Sequence, residues 1–210
     1  MGEHNGFKSV SHAATAEITV TKSRFICSVK RVESDDEAKE FVLSVKKKYS
    51  DARHNCYAYV LTKSSAYVKY SDDGEPQGTA GLSMLEVLKN KGLYETAAVV
   101  TRYFGGVKLG VGGLKRAYAD ALIAAPEKAG ESEYVYSCFY SVTAEQSLLK
   151  RLENVVEKAG KKTGVTYIGA TVKLDFSAPI GNAENAVKAI ADLSCGKAEI
   201  VKTGEGYREG

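Results

Sequence analysis

Strand-like and helix-like segments alternate along all 210 residues of this chain, which predicts an α+β protein of two domains. Two further observations support that. Pro126 and Gly130, followed by the charged run Glu131-Ser132-Glu133, interrupt an Ala-rich helix and place a boundary between residues 1–130 and 131–210. Beyond that boundary the elements read β-α-β-β-α-β, the ferredoxin-like order in which one sheet is backed by two helices.

In the first domain, Ala16 to Val20 and Arg24 to Val32 alternate as strands do. Ser34-Asp35-Asp36-Glu37 has the capping-box spacing, and Ala38, Phe41, Val42, Val45 and Tyr49 follow at helical spacing, giving an amphipathic helix over Asp35 to Tyr49. Lys46, Lys47 and Lys48 are expected on its wet face. Cys56 to Leu61 and Ala66 to Tyr70 form a hairpin across Thr62-Lys63-Ser64-Ser65. A short helix spans Met84 to Asn90 and ends at Gly92. Ala97 to Phe104 is almost continuously apolar, as a strand buried on both faces would be. The last helix of this domain places Leu114, Ala117, Tyr118, Ala121, Leu122 and Ala125 on one stripe, and Pro126 is expected to end it.

The second domain begins with a strand over Tyr134 to Thr143 and a helix over Glu145 to Ala159. Val165 to Phe176 divides into two strands at a turn near Gly169. A helix over Asn182 to Leu193 and a strand over Ala198 to Lys202 complete it.

Composition narrows the function classes. The chain is 44 % hydrophobic and 26 % charged, enough to bury a real core, and its formal charge of +3 is too small to name a partner by bulk electrostatics. No apolar run reaches membrane-spanning length, and the start from Met1 to Val10 lacks the apolar centre of a secretory signal, so no membrane partner is expected. Cys27, Cys56, Cys138 and Cys195 are far apart in sequence, without zinc-ligand spacing, and read as four buried free thiols in a reducing, cytoplasmic setting. No metal, cofactor or catalytic residue is assigned.

Two segments depart from ordinary packing patterns. Ser71 to Gly81 holds Asp72, Asp73 and Glu75 among three glycines and Pro76. It reads either as a solvated turn or as an acidic cluster for a divalent ion or general base, without the spacing of an EF-hand. The second runs from Thr101 to Arg116. A buried strand enters a loop with Gly105, Gly106, Gly110, Gly112 and Gly113, and the loop enters a helix. Arg102, Lys108, Lys115 and Arg116 surround this crossover, the last two expected in the helix's first turn, where cations are disfavoured. Convergent amides, a helix start and four cations suit a phosphate, although the spacing matches neither a Walker A loop nor a dinucleotide fingerprint. The alternative is a tight crossover with solvated basic residues. Tyr103 and Phe104 are candidates for stacking on a base. His54 precedes Cys56 by two residues on a strand, so the two share a face. A His54 base with a Cys56 nucleophile is conceivable, and a ligand-contacting or core role for His54 is preferred.

Lys22-Ser23-Arg24-Phe25-Ile26, His54-Asn55-Cys56, Asp72 to Pro76 with Gly78 to Gly81, and Arg102 to Gly106 through Leu109-Gly110, Gly112-Gly113-Leu114 and Arg116-Ala117-Tyr118 together resemble the YigZ/IMPACT family over the whole chain. Gln77, where the family usually has Ser, and Ser83, where it usually has Pro, are departures, and Ser83 with Glu86 could cap the following helix instead. The resemblance implies a first domain like the second domain of a small-subunit ribosomal protein, a left-handed βαβ class shared with elongation factor G. It implies a second domain similar to a late domain of that factor. It also implies a link to translation, since eukaryotic relatives regulate translation in amino-acid starvation by binding a partner of a stress kinase.

The leading expectation is therefore a non-enzymatic, translation-associated protein that binds RNA or the ribosome through the cationic glycine-rich crossover. An enzyme acting on a phosphorylated small molecule is the second reading, with the acidic cluster and the glycine loop sharing a cleft. An adaptor for a translation-regulator protein is the third.

Overall fold

The computed structural model describes residues 6–61 and 67–210. Contacts divide it into two units, one over Phe7–Glu133 and one over Tyr134–Gly210. The expected hairpin turn at Thr62 to Ser65 lies outside the described residues.

The first unit is built on a five-stranded antiparallel sheet. Along the chain it comprises β1 (Phe7–Val10), β2 (Ala14–Val20), β3 (Ser23–Arg31), α1 (Asp35–Lys48), β4 (His54–Leu61), β5 (Tyr67–Ser71), α2 (Gly81–Asn90), β6 (Thr96–Tyr103) and α3 (Gly110–Ala129). The sheet order is β2-β3-β6-β4-β5, so β6 is central. Its alternate residues feed different cores: Ala98 and Val100 pack with the buried stripes of α2 and α3, and Ala97 and Val99 pack on the α1 side. An unbroken apolar run thus arises here in an antiparallel strand because helices cover both faces.

Local chemistry explains several helix ends. Ser34 Oγ accepts the Glu37 N–H at the start of α1, while the Glu37 carboxylate reaches back to the Glu33 N–H, one residue earlier than a capping box requires. Gly92, at φ +66°, follows α2. Pro126 does not end α3, which continues to Ala129 and stops at Gly130, φ +68°. Pro126 sits in the last turn, where its missing N–H forfeits one helical hydrogen bond, and it is buried with Ala125 and Ala129.

The second unit comprises the greater part of β7 (Glu131–Glu145), then a 3₁₀ turn (Gln146–Leu148), α4 (Leu149–Ala159), β8 (Lys161–Ile168), β9 (Thr171–Pro179), α5 (Ile180–Leu193) and β10 (Glu199–Glu209). All its strand pairs are antiparallel: β10 with β7, β7 with β9 and β9 with β8. Val142, Leu174 and Phe176 from the sheet meet Leu152, Val156 and Ile190 from the helices in one core. Gly169, φ +57°, makes the β8–β9 turn. Cys27, Cys56 and Cys138 are buried free thiols, but Cys195 is exposed, in the turn that follows α5. Among the described residues no helix is long and apolar enough to cross a membrane.

Candidate functional site

Arg102 lies near the end of β6, opposite Phe25 of β3 and His54 of β4. It has the parity of Ala98 and Val100, so its side chain is directed to the inner face, under α3, rather than to solvent. Glu75 arrives there from the turn after β5 and Tyr118 from α3. Glu75 Oε1 accepts from Arg102 Nη1 at 2.7 Å and from Tyr118 Oη at 2.9 Å. The guanidinium carbon is 5.5 Å from the ring centres of both Phe25 and Phe104. Among the described residues, Arg102 Nε, also buried, has no hydrogen-bond partner.

Burial, together with the Cys56 and Glu75 side chains, raises the pKa of Tyr118 far above its ordinary value, so this phenol stays a neutral donor. Cys56 is pushed up to about 12, chiefly by burial, and its thiol donates to the Asp72 carbonyl at 2.9 Å. A thiol so held is no nucleophile at neutral pH.

The other two acidic residues are also engaged internally. Asp72 Oδ1 accepts the N–H groups of Ala80 and Gly81, and its Oδ2 accepts that of Gly78. This carboxylate therefore satisfies the start of α2. Ser83 is buried inside the helix and does not cap it, because α2 begins two residues earlier than Ser83. Asp73 Oδ2 accepts the Asn55 N–H at 2.7 Å, and its Oδ1 receives Lys46 Nζ at 2.7 Å. Lys46, expected to be solvated, is thus a partner of the acidic turn. His54 Nδ1 is 2.9 Å from the Asp73 carbonyl oxygen. Among the described residues no group of three His, Cys, Asp or Glu side chains is placed to hold a metal ion.

The glycine-rich crossover divides into an inner and an outer part. Gly105 fits only because it lacks a side chain: a Cβ there would lie 2.1 Å from the Lys22 backbone, and its N–H donates to Ser23 Oγ. Gly106 and Gly110 have φ of +88° and +70°. Gly113 abuts Leu109, but Gly112 has open space where a Cβ would be. The first turn of α3 has neither a side-chain cap nor an acidic residue. Lys108, Lys115 and Arg116 are exposed, and among the described residues none pairs with a carboxylate. Lys115 and Arg116 fall in the second turn of α3, since the helix starts at Gly110. Phe104 is 55 % exposed, with Val107 and Val111 exposed beside it in sequence. Tyr103 is engaged: its hydroxyl donates to Asp51 at 2.8 Å and Arg24 lies over its ring.

The acidic turn and the crossover thus meet, at Glu75 and Arg102. That contact removes Arg102 from the set of free cations and leaves Lys108, Lys115 and Arg116 outside it. Sequence reasoning placed Tyr118 on the packed stripe of its helix and within the family motif, but gave its hydroxyl no role. A buried tyrosine hydroxyl needs a partner, and that requirement was the available signal.

A family model described as Impact N-terminal domain matches residues 21–125, the span that contains all of these groups. The chain is 43 % identical over 155 residues to IMPACT family member YvyE of Bacillus subtilis, covering 74 % of this chain and 71 % of that one. It is 35 % identical over 191 residues to IMPACT family member YigZ of Escherichia coli, covering 87 % and 90 %. A Protein IMPACT homolog of Schizosaccharomyces pombe is 33 % identical over 95 residues, 44 % of this chain and 34 % of its own. A crystal structure described as that of a hypothetical protein superposes with a TM-score of 0.62 at 32 % identity, covering 94 % of this chain and 97 % of that one.

Proposed function

This chain belongs to the IMPACT family, and from that premise we propose that it is a translation-associated, non-enzymatic protein that binds RNA through the crossover from Phe104 to Arg116. The observation that carries this reading is the separation of charges in the first unit. Arg102 and the carboxylates of Asp72, Asp73 and Glu75 are bonded internally, whereas Lys108, Lys115 and Arg116, before and in the first two turns of α3, face solvent without a carboxylate partner among the described residues. Cations so placed suit phosphate oxygens, and such contacts fix position without reading sequence. The exposed Phe104 ring adds a stacking surface.

Kinship supports the link to translation, since the matches include eukaryotic IMPACT homologues. The antiparallel order β10-β7-β9-β8 with two helices supports the ferredoxin-like reading of the second domain. A cytoplasmic home fits four free cysteines. An enzyme is disfavoured because a base or metal ligand must be available to substrate, and these carboxylates are held by amides, Lys46, Arg102 and Tyr118.

The test is the salt dependence of binding to a labelled RNA hairpin with a single-stranded tail. The K108A/K115A/R116A variant should lower the slope of log K against log salt by about 2, as expected for losing three phosphate contacts. Identical titrations of wild type and variant across salt would overturn the reading. A protein complex that survives high salt, with no RNA binding, would favour the adaptor role.

A further inference from the structure

The segment Lys22-Ser23-Arg24-Phe25 lies at the β2–β3 turn, and three of its four side chains are engaged within the first unit. Ser23 Oγ accepts the Gly105 N–H at 3.1 Å. Arg24 pairs with Glu17 and lies over the Tyr103 ring. Phe25 packs edge-on against Tyr118 and under the Arg102 guanidinium. Lys22 differs: it is exposed, and among the described residues its ammonium pairs with no carboxylate. Nor does the backbone call for a lysine there. The chain reverses between β2 and β3 in two residues, Thr21 and Lys22, both left-handed at φ +46° and +67°. Glycine is at ease at the second position of such a turn, and a lysine is strained. The turn is also pinned to the crossover, since a Cβ on Gly105 would lie 2.1 Å from the Lys22 carbonyl and 2.5 Å from the Ser23 nitrogen. An unpaired cation is thereby held against the loop that carries Lys108 and leads to Lys115 and Arg116. Like charges gathered without internal carboxylates repel one another, and a bound polyanion relieves that repulsion.

We propose that the β2–β3 turn is a second element of the RNA-binding face, with the Lys22 ammonium contacting a phosphate of the RNA that the crossover binds. The proposal rests on the RNA-binding reading above and extends it from one loop to two. In this arrangement Ser23 and the bare backbone of Gly105 are the latch that sets the turn beside the crossover, and Lys22 is the residue the latch presents.

Salt titrations of the full chain against the same labelled RNA hairpin test it. Lys22→Gly removes the ammonium and suits the left-handed position, so the urea midpoint should hold or rise. The slope of log K against log salt should nevertheless fall by about 0.7, the share of one phosphate contact. Lys22→Asn, also tolerated in the left-handed region, should give the same fall, and Lys22→Arg, which keeps the charge, should keep the slope. Lys30→Ala removes an exposed lysine near the other end of β3 and should leave the slope unchanged. An unchanged slope in Lys22→Gly and Lys22→Asn overturns the proposal, whatever happens to stability. An equal fall in Lys30→Ala also overturns it, because overall charge and not a contact would then set the slope. The K108A/K115A/R116A variant separates this proposal from the reading beneath it. If that variant lowers the slope and Lys22→Gly does not, the crossover binds RNA without the turn. If neither changes the slope, both fail.

Discussion

Glu75 and Arg102 form a buried ion pair, 2.7 Å between Oε1 and Nη1, which ties the turn after β5 to the end of the central strand. Neither partner can lose the other cheaply. Glu75→Ala leaves a buried guanidinium uncompensated and should cost about 3–5 kcal/mol in urea unfolding. The double variant Glu75→Leu/Arg102→Met removes both charges and should recover most of that loss. Additive costs in the double variant would mean that the pair contributes nothing as a pair.

Asp72 has a different structural role, satisfying three amides at and just before the start of α2. Asp72→Ala should cost about 2 kcal/mol, the upper end for losing a helix cap. Ser83→Ala should change stability far less, since Ser83 lies inside the helix. Equal losses at the two positions would return the capping role to Ser83.

These residues also show what periodicity could and could not reveal. The stripe from Leu114 to Ala125 and the Ser34 cap are properties of consecutive residues, so local spacing found them. The partners of Asp72, Asp73 and Glu75 come from α1, α2, α3, β4 and β6, and a sequence read locally contains no record of that convergence. Glycine and charge enrichment marked the segment Thr101 to Arg116. It did not distinguish Arg102, directed into the core by strand parity, from Lys108, Lys115 and Arg116, which the loop and helix surface leave outside. Pro126 was misleading for a related reason. A proline ends a helix in isolation, but here the buried surface of the last turn outweighs one lost hydrogen bond.

Acid stability should depend on Asp35. Lys39, and then Tyr59 and Lys69, hold its carboxyl well below the usual carboxylate range. A depressed pKa in the folded state contributes stability that is fully present above the unfolded value of about 4 and is lost as pH falls below it. Urea midpoints should therefore drop between about pH 4 and pH 2 in wild type. The drop should be shallower in Asp35→Asn, and parallel curves would remove Asp35 as a cause.

Thiol reactivity should separate the four cysteines. Cys195 is exposed and the other three are buried. Cys56 is pushed up to about 12 by burial and Cys27 is raised further by the same cause. At pH 8, a thiol-reactive chromophore should label one cysteine quickly in the native protein and all four in denaturant. Rapid native labelling of Cys56, located by peptide mapping, would revive it as a nucleophile beside His54.

The glycines of the crossover make opposite predictions although they are close in sequence. Gly105→Ala forces a Cβ to within 2.1 Å of the Lys22 backbone and should destabilise the fold severely. Gly112 is different. It lies in the first turn of α3, its φ is not in the left-handed region, and nothing occupies the space a Cβ would take. Alanine is the better helix former, so Gly112→Ala should raise stability by about 0.5–1 kcal/mol. Internal packing thus gives no reason for glycine there, whereas close approach of a partner to the bare helix start does. The same substitution should therefore weaken RNA binding while strengthening the fold, read by urea unfolding and anisotropy on one preparation. A variant that is more stable and binds unchanged would show that no ligand comes close to the α3 backbone at Gly112, and the phosphate contacts would then have to be made by the lysine and arginine side chains alone.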